Sequence, residues 1–560
     1  MWTHNYEPIA GSLGVSALVA AIPIFVLFYM LGVRRSPSYV ASLTALASAF
    51  VLALVAYKMP ISLAIISTVM GAAYGLFPIA WVVFASILLY RIVVDTGKFE
   101  VIKTSVGGLT TDRRLQALFI AFSFGAFIEG AAGFGTPVAV SGAMLAGLGF
   151  SPFYAAGICL LANTAPVAFG SIGIPVVTLA NVTGLPLLPL SAMVGRLCAL
   201  ISVFIPGYLL VVMVGWKRAM EVLPAILACG ISFAGVQFYV SNYMGPELTD
   251  ILSSLTCIIV MVFVLKFWKP KSILRLPDDK PITAAPVQHG AGEVFMAWMP
   301  YLLLVIFVLL WGEPSVKAAL DRFSDGFFPS FLPHATALNG INVPGLHNLI
   351  TRIPPVTPAP APYAAVYAWN WLTASGTACL FAAILAAAFL GVGPSRFIGA
   401  YKATFIQLQK PMLTIASMLG LAYLMNYSGM TSTLGLALAA TGPAFPFFSA
   451  TLGWLGVFLT GSDTSSNALF GNLQVVTANA TGLSPVLMAS VNTAAGVMGK
   501  MISVQSIAVA VAATQMSRDD ESKLFRFTIK HSILLTVVMG IVAMLYAYAF
   551  PELVPVAPPR

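Results

Sequence analysis

A chain of 560 residues that is 59% hydrophobic and 8% charged, with a mean hydropathy of +0.93, is not a soluble globular protein. Its apolar runs are about 20 residues long, the length of a membrane helix, which excludes a β-barrel with its ~10-residue alternating strands. The formal net charge of +9 falls in short basic clusters between those runs, the bias of cytoplasmic loops rather than of a nucleic-acid surface.

The first apolar run, from about Leu13 to Gly32, has no basic region ahead of it and is too long for a signal-peptide core, so it reads as a retained helix. Runs follow at 38 to 56, 60 to 94, 152 to 182, 188 to 214, 222 to 241, 251 to 268, 294 to 311, 372 to 391, 411 to 425, 484 to 516 and 529 to 550, giving about 12 crossings of an all-α polytopic protein. The run from 60 to 94 is long enough to be tilted, broken or in two parts; charge makes it one crossing.

Basic clusters at Arg34-Arg35, Lys98 to Arg114, Lys217-Arg218, Lys266 to Lys280, Arg396 to Lys410 and Arg518 to Lys530 are placed in the cytoplasm. Both termini, the acidic Pro246-Glu-Leu-Thr-Asp250 and the segment 312–370 then lie outside. The segment 115–148 starts and finishes inside, so it reads as a re-entrant hairpin with its tip near Glu129 to Pro137. The same bookkeeping makes 445–478 a hairpin entering from outside, so the two copies are inverted. The expected organisation is a half at 1–268, a Pro-rich cytoplasmic linker at 269–293 and a second half at 294–560. Each half carries a hairpin and then a broken helix, at 152–182 and at 484–516.

A motif repeat supports that division: Gly125-Ala-Phe-Ile-Glu-Gly130 followed by Asn163-Thr-Ala165, and Gly456-Val-Phe-Leu-Thr-Gly461 followed by Asn492-Thr-Ala494. Pro166, Gly170, Gly173 and Pro175 cannot sit in one continuous helix, so the first break is expected there. Gly496 and Gly499, followed by Lys500-Met-Ile-Ser503, are candidates for the second break. Unwound backbone at membrane depth needs protein or a wet cavity around it, so breaks and hairpin tips are expected to face one another.

Such a site suits an anion. Helix N-termini attract carboxylates, and Thr136, Asn163, Thr164, Ser462, Thr464, Ser465, Asn492 and Thr493 offer hydrogen bonds; Ser466 adds another hydroxyl. Lys500 is the one cation beside a motif, either a partner for a substrate carboxylate or a counter-ion for Glu129 or Asp463. Glu129 and Asp463 stand as the acids deepest in apolar sequence, and either can couple anion entry to proton entry. The competing reading for these acids is a structural salt bridge with Lys500, and for Asn163 and Asn492 a helix cap or interhelical bridge. Arg196 is expected to reach along its helix to polar groups, Arg91 to snorkel to the cytoplasmic surface, and His531 to lie at an interface. Cys159, Cys198, Cys229, Cys257 and Cys379 lack CxxC spacing and read as packing residues, and no metal or cofactor is implied. Gly130-Ala-Ala-Gly-Phe-Gly135 is not a dinucleotide fingerprint, and one deep aspartate is too few for an intramembrane protease, so an enzyme is not expected.

GAFIEGAAGFGTPVA, NTAPVAFGSIGIP, FLTGSDTSSNALFGNLQ and GKMISVQSIA, in this order along nearly the whole chain, resemble the bacterial lactate permease family. One departure is Val504, where that family usually has proline. The resemblance implies an inner-membrane symporter moving L-lactate, and often D-lactate or glycolate, with protons. A sodium-coupled carboxylate symporter and a passive monocarboxylate channel are the alternatives. The expected partners are the carboxylate, protons and the lipid bilayer, with no nucleic acid and an oligomeric state that the sequence leaves open.

Overall fold

The computed structural model describes residues 1–133, 135–275, 289–327, 340–517 and 520–556. Phe134 at the first hairpin tip, the linker centre 276–288 with its prolines, the stretch 328–339 of the external segment, and Arg518 lie outside the described residues.

Ten helical stretches among the described residues are long and apolar enough to span a bilayer, and two more spans are bent pairs, so the chain is an all-α polytopic membrane protein. The total matches the expected count, but its membership differs. The hairpin arm Arg113–Ala131 and the stretch Met430–Thr460 are among the ten. The expected run 411 to 425 is instead the apolar half of a 35-residue helix, Pro394–Ser428, whose first turns carry basic residues. The run from 60 to 94 is broken: Phe77, ahead of Pro78, has extended backbone (φ −140°, ψ 126°) between helices Ile61–Tyr74 and Trp81–Asp95.

Packing between these helices relies on small side chains, because lipid supplies no hydrophobic drive for helices to meet. Ser38–Val55 buries Ala41, Ala45, Ala49 and Ala53 completely, a stripe along one face, and packs on Pro394–Ser428. Ile61–Tyr74 meets the same helix through Gly71 and Gly75: a Cβ at Gly71 would lie 2.4 Å from the Leu419 carbonyl oxygen. The five cysteines are buried and unbridged.

Each half presents the same succession. The first hairpin has arms Arg113–Ala131 and Thr136–Gly147, and the second Phe445–Thr460 and Asp463–Thr481. The first broken helix joins Pro152–Ala162 to Val167–Thr183 with a 63° bend, and the second joins Pro485–Lys500 to Val504–Ala513 with a 40° bend. Packing across the halves is reciprocal. Gly170–Thr183 lies on Asp463–Thr481, and Val504–Ala513 lies on Thr136–Gly147, so each broken helix seats its second half on the other copy's hairpin.

The first break falls where proline and glycine required it, with Ser171, Ile172 and Gly173 all at positive φ. The second does not fall at Gly496 and Gly499, which remain helical: the helix runs to Lys500 and breaks over Met501 to Ser503. Those glycines serve close approach instead, since a Cβ at Gly499 would lie 2.3 Å from the Trp454 carbonyl oxygen. Ser503 then caps the next half-helix, accepting from the Ser506 N–H, and Val504 takes its first position, one that proline also fills well.

Outside the helices, Trp2–Thr3 pairs in parallel with Ile350–Thr351, Thr351–Arg352 pairs antiparallel with Ala361–Pro362, and Ile341–Asn342 pairs with Val366–Tyr367. Tyr74 and Tyr427 fasten this small cap by donating to the carbonyls of Val366 (2.8 Å) and Ala364 (2.9 Å). At the base of the first hairpin, fully buried Arg114 donates to both Asp112 oxygens, to Glu221 and to the Ser272 carbonyl. That guanidinium holds the exposed Glu221 carboxyl below its usual range.

Candidate transport site

Glu129 ends the first arm of the first hairpin, and Lys500 ends the first half of the second broken helix. The Lys500 Nζ donates to Glu129 Oε1 at 2.9 Å, with both side chains almost withdrawn from solvent. This ion pair joins the two copies. Its position follows from local structure: a lysine at a helix C-terminus faces the negative end of the dipole, and glycine at 170 makes room for the acid. A Cβ at Gly170 would lie 2.5 Å from Glu129 Oε1.

Asp463 is the first residue of the second hairpin's returning arm, behind the cap Ser462, whose hydroxyl accepts from the Ser465 N–H at 3.2 Å. It is 3% exposed and neither carboxyl oxygen has a partner among the described residues. It packs on Gly496, where a Cβ would lie 2.4 Å from Oδ1. Lys500 and Glu129 are the charged groups that act on it.

The two Asn-Thr-Ala copies have different surroundings. Asn163 caps the end of Pro152–Ala162, and its amide oxygen and nitrogen, with the Thr164 hydroxyl, are buried without partners among the described residues. Asn492 and Thr493 are engaged: both donate to Asn467 Oδ1 at 2.9 Å, Gln474 donates to Asn492 Oδ1 at 3.1 Å, and Asn467 donates to the Pro175 carbonyl at 3.0 Å. Thr136 opens the returning arm of the first hairpin and Thr464 follows Asp463; both are half-buried, while Ser465 is buried. Ser466 turns away, donating to the Gly453 carbonyl.

Three site-layer residues escape the sequence reading: Asn467 of the network above, Ser171, which donates to the Ala132 carbonyl of the first tip at 3.0 Å, and Asp250. Asp250 was expected in an exposed acidic connection. It is instead 1% exposed, seated against Gly130, with both oxygens unpartnered among the described residues. The signal available was Leu-Thr-Asp directly ahead of an apolar run, the pattern of a helix first turn. Arg196 donates to Asn242 Oδ1 at 2.9 Å and to the Leu553 carbonyl, away from the acids. Arg91 bonds Thr404 and Gln407, and buried His531 bonds the Tyr208 hydroxyl.

Residues 16–550 match the family model described as L-lactate permease. The chain belongs to the L-lactate permease family. It is 48% identical to the L-lactate permease of Bacillus subtilis strain 168, over 99% of this chain and 100% of that one. It is 46% identical to the glycolate permease GlcA of Escherichia coli K12, over 98% of each. It is 45% identical to the L-lactate permease of Salmonella typhimurium LT2, over 99% of this chain and 100% of that one. Among solved structures, the YdaH transporter of Alcanivorax borkumensis aligns with 86% of the chain at 14% identity and a TM-score of 0.43. MtrF of Neisseria gonorrhoeae aligns with 88% at 11% identity and a TM-score of 0.46. The permease is thus a transporter rather than an enzyme, a multi-pass protein of the bacterial inner membrane. Its buried ion pair, and the asparagine and two acids left unpartnered among the described residues, lie where the hairpins meet the broken helices.

Proposed function

We propose that this permease imports L-lactate and related 2-hydroxy monocarboxylates, D-lactate and glycolate, by proton symport. The observation that carries the reading is the Lys500–Glu129 pair. Lys500 is the cation of the site, and Glu129 already neutralises it. A substrate carboxylate can take Lys500 only if Glu129 gives it up, and protonating Glu129 does that without leaving a bare charge in a low-dielectric site. Proton and anion therefore enter together, and loss of both restores the pair.

Asn163 and Thr164 supply donors and acceptors, unpartnered among the described residues, for the carboxylate and the 2-hydroxyl, and Thr136, Ser462, Thr464 and Ser465 stand at the hairpin ends. Asn492 and Thr493 act on the substrate through the Asn467 network that shapes the same wall. Asp463 shares the field of Lys500 and is the alternative coupling acid. The nearly equal identity to a lactate and a glycolate permease, 48% and 46%, favours a site that accepts both acids.

The test is uptake of labelled L-lactate into proteoliposomes under an inward proton gradient without sodium, repeated with a protonophore and with excess glycolate. Accumulation that the protonophore abolishes and glycolate suppresses supports the reading. Equilibration without accumulation indicates a channel, and uptake only with sodium indicates sodium coupling; either overturns it.

A further inference from the structure

Asp250 has no part in the cycle above, yet its surroundings join it to the site. The stretch from Gly245 to Asp250 packs on both the break and the hairpin arm of the first copy. A Cβ at Gly173, in the break, would lie 2.7 Å from Pro246, and one at Gly130, beside Glu129, would lie 2.7 Å from the Asp250 Cβ. Asp250 thus begins the helix Thr249–Phe267 against the residue that follows Glu129. The charged groups that act on it are Glu129, from the hairpin arm, and Lys500, from the other copy's broken helix.

An acid in a first helical turn is ordinarily explained by the dipole or by capping. Here neither oxygen of Asp250 accepts a hydrogen bond among the described residues, and the side chain is all but sealed from solvent. Lys500 is already bonded to Glu129. A buried carboxyl without donors or a cation of its own is stable in its neutral form and costly when ionised, so its natural traffic is in protons.

We propose that Asp250 is a second proton-carrying carboxyl of the transporter, which receives the proton beside the Gly245–Leu248 connection and passes it to Glu129. In the transfer the Asp250 O–H bond breaks, an O–H bond forms on Glu129, and the Lys500 ammonium loses its carboxylate partner and becomes available to the substrate anion. Asp250, left ionised, is reprotonated from the aqueous phase next to the connection. This inference rests on the proton-symport reading.

The test uses the purified full-length protein in proteoliposomes, with wild type, Asp250→Asn and Asp250→Glu measured for gradient-driven L-lactate accumulation and for lactate counterflow at equal pH. Asp250→Asn is expected to lose accumulation by at least about tenfold while counterflow stays within about threefold, since only the coupled step needs the titrating group. Asp250→Glu is expected to accumulate lactate with a displaced pH dependence. Wild-type accumulation in Asp250→Asn overturns the proposal, as does equal loss of both activities in Asp250→Asn with no restoration in Asp250→Glu. If the Asn variant does not fold, Asp250→Glu decides alone: a displaced pH profile supports the proposal and an unchanged one overturns it. Absence of gradient-driven accumulation in wild type overturns the symport reading itself, which separates that failure from one confined to Asp250.

Discussion

Lys500→Met separates a transport role for the central ion pair from a purely structural one. At 2.9 Å and an effective dielectric of about 20, the attraction between Lys500 and Glu129 is about 6 kcal/mol. Desolvation offsets part of it, so removing one partner of so buried a pair costs about 3–5 kcal/mol, mostly from the charge left behind. Lys500→Met is therefore expected to lower the thermal midpoint in detergent by several degrees, and Glu129→Gln added to it should recover most of that loss because no charge is then stranded. Lactate binding should behave otherwise. A charge-assisted hydrogen bond to the substrate is worth about 1.5–3 kcal/mol, or roughly 10–150-fold in Kd, and neither Lys500→Met nor the double variant can make it. Glu129→Gln alone should bind lactate at least as tightly as wild type, with no dependence on pH. Thermal unfolding with and without L-lactate, read for the four proteins, measures both quantities. Recovery of lactate binding together with stability in the double variant would falsify the reasoning, since Lys500 would then serve only to neutralise Glu129.

Other substitutions probe the site and the cap. Asn163→Ala should leave stability unchanged and weaken lactate affinity by about tenfold, whereas Asn492→Ala should cost about 1–3 kcal/mol of stability by stripping Asn467 and Gln474 of partners; a Kd titration and a melting curve distinguish them. Gly170→Ala places a methyl 2.5 Å from Glu129 Oε1, so uptake should fall at least about tenfold, and Glu129→Asp in the same protein should restore part of it by withdrawing the carboxylate. In the cap, burial and then the nearby Arg352 lower His4 from 6.5 to about 4, against a bond to the Tyr427 carbonyl. A histidine lowered on folding takes its proton mainly on unfolding. Its stabilisation is present above about pH 6.5 and is lost as the pH falls toward 4, a change of about 3 kcal/mol that His4→Phe should remove from the melting profile between pH 7 and pH 4.5.

Much of this arrangement was legible in residues whose chemistry conflicts with an apolar helix. Pro166, Gly170 and Gly173 announced the first break because proline and glycine leave few backbone solutions, and the chain uses one of them. The second break, over Met501 to Ser503, has no proline and is carried by a serine cap, so it falls at the end of the candidate stretch while Gly496 and Gly499 stay helical. Lys500 was legible as a cation beside the motif, but its choice of Glu129 over Asp463 depends on packing between halves. Asp250 was hidden by its neighbours: Pro246 and Glu247 give that stretch the look of a solvated loop, and only the approach of Gly130 and Gly173 shows that it is covered. The divergence of the two Asn-Thr-Ala copies was equally out of reach, because Asn467 and Gln474 acquire their role only when the second hairpin folds against its broken helix.

The central claim is that a proton enters on Glu129 each time Lys500 turns to the substrate. Its most direct test is the lumenal pH of proteoliposomes, followed with a trapped dye after L-lactate is added outside at equal starting pH, for wild type and Glu129→Gln. The account predicts lactate-driven acidification in wild type and none in Glu129→Gln, although the variant still exchanges labelled for unlabelled lactate. Equal acidification in both proteins, or none in wild type while it takes up lactate, would contradict it.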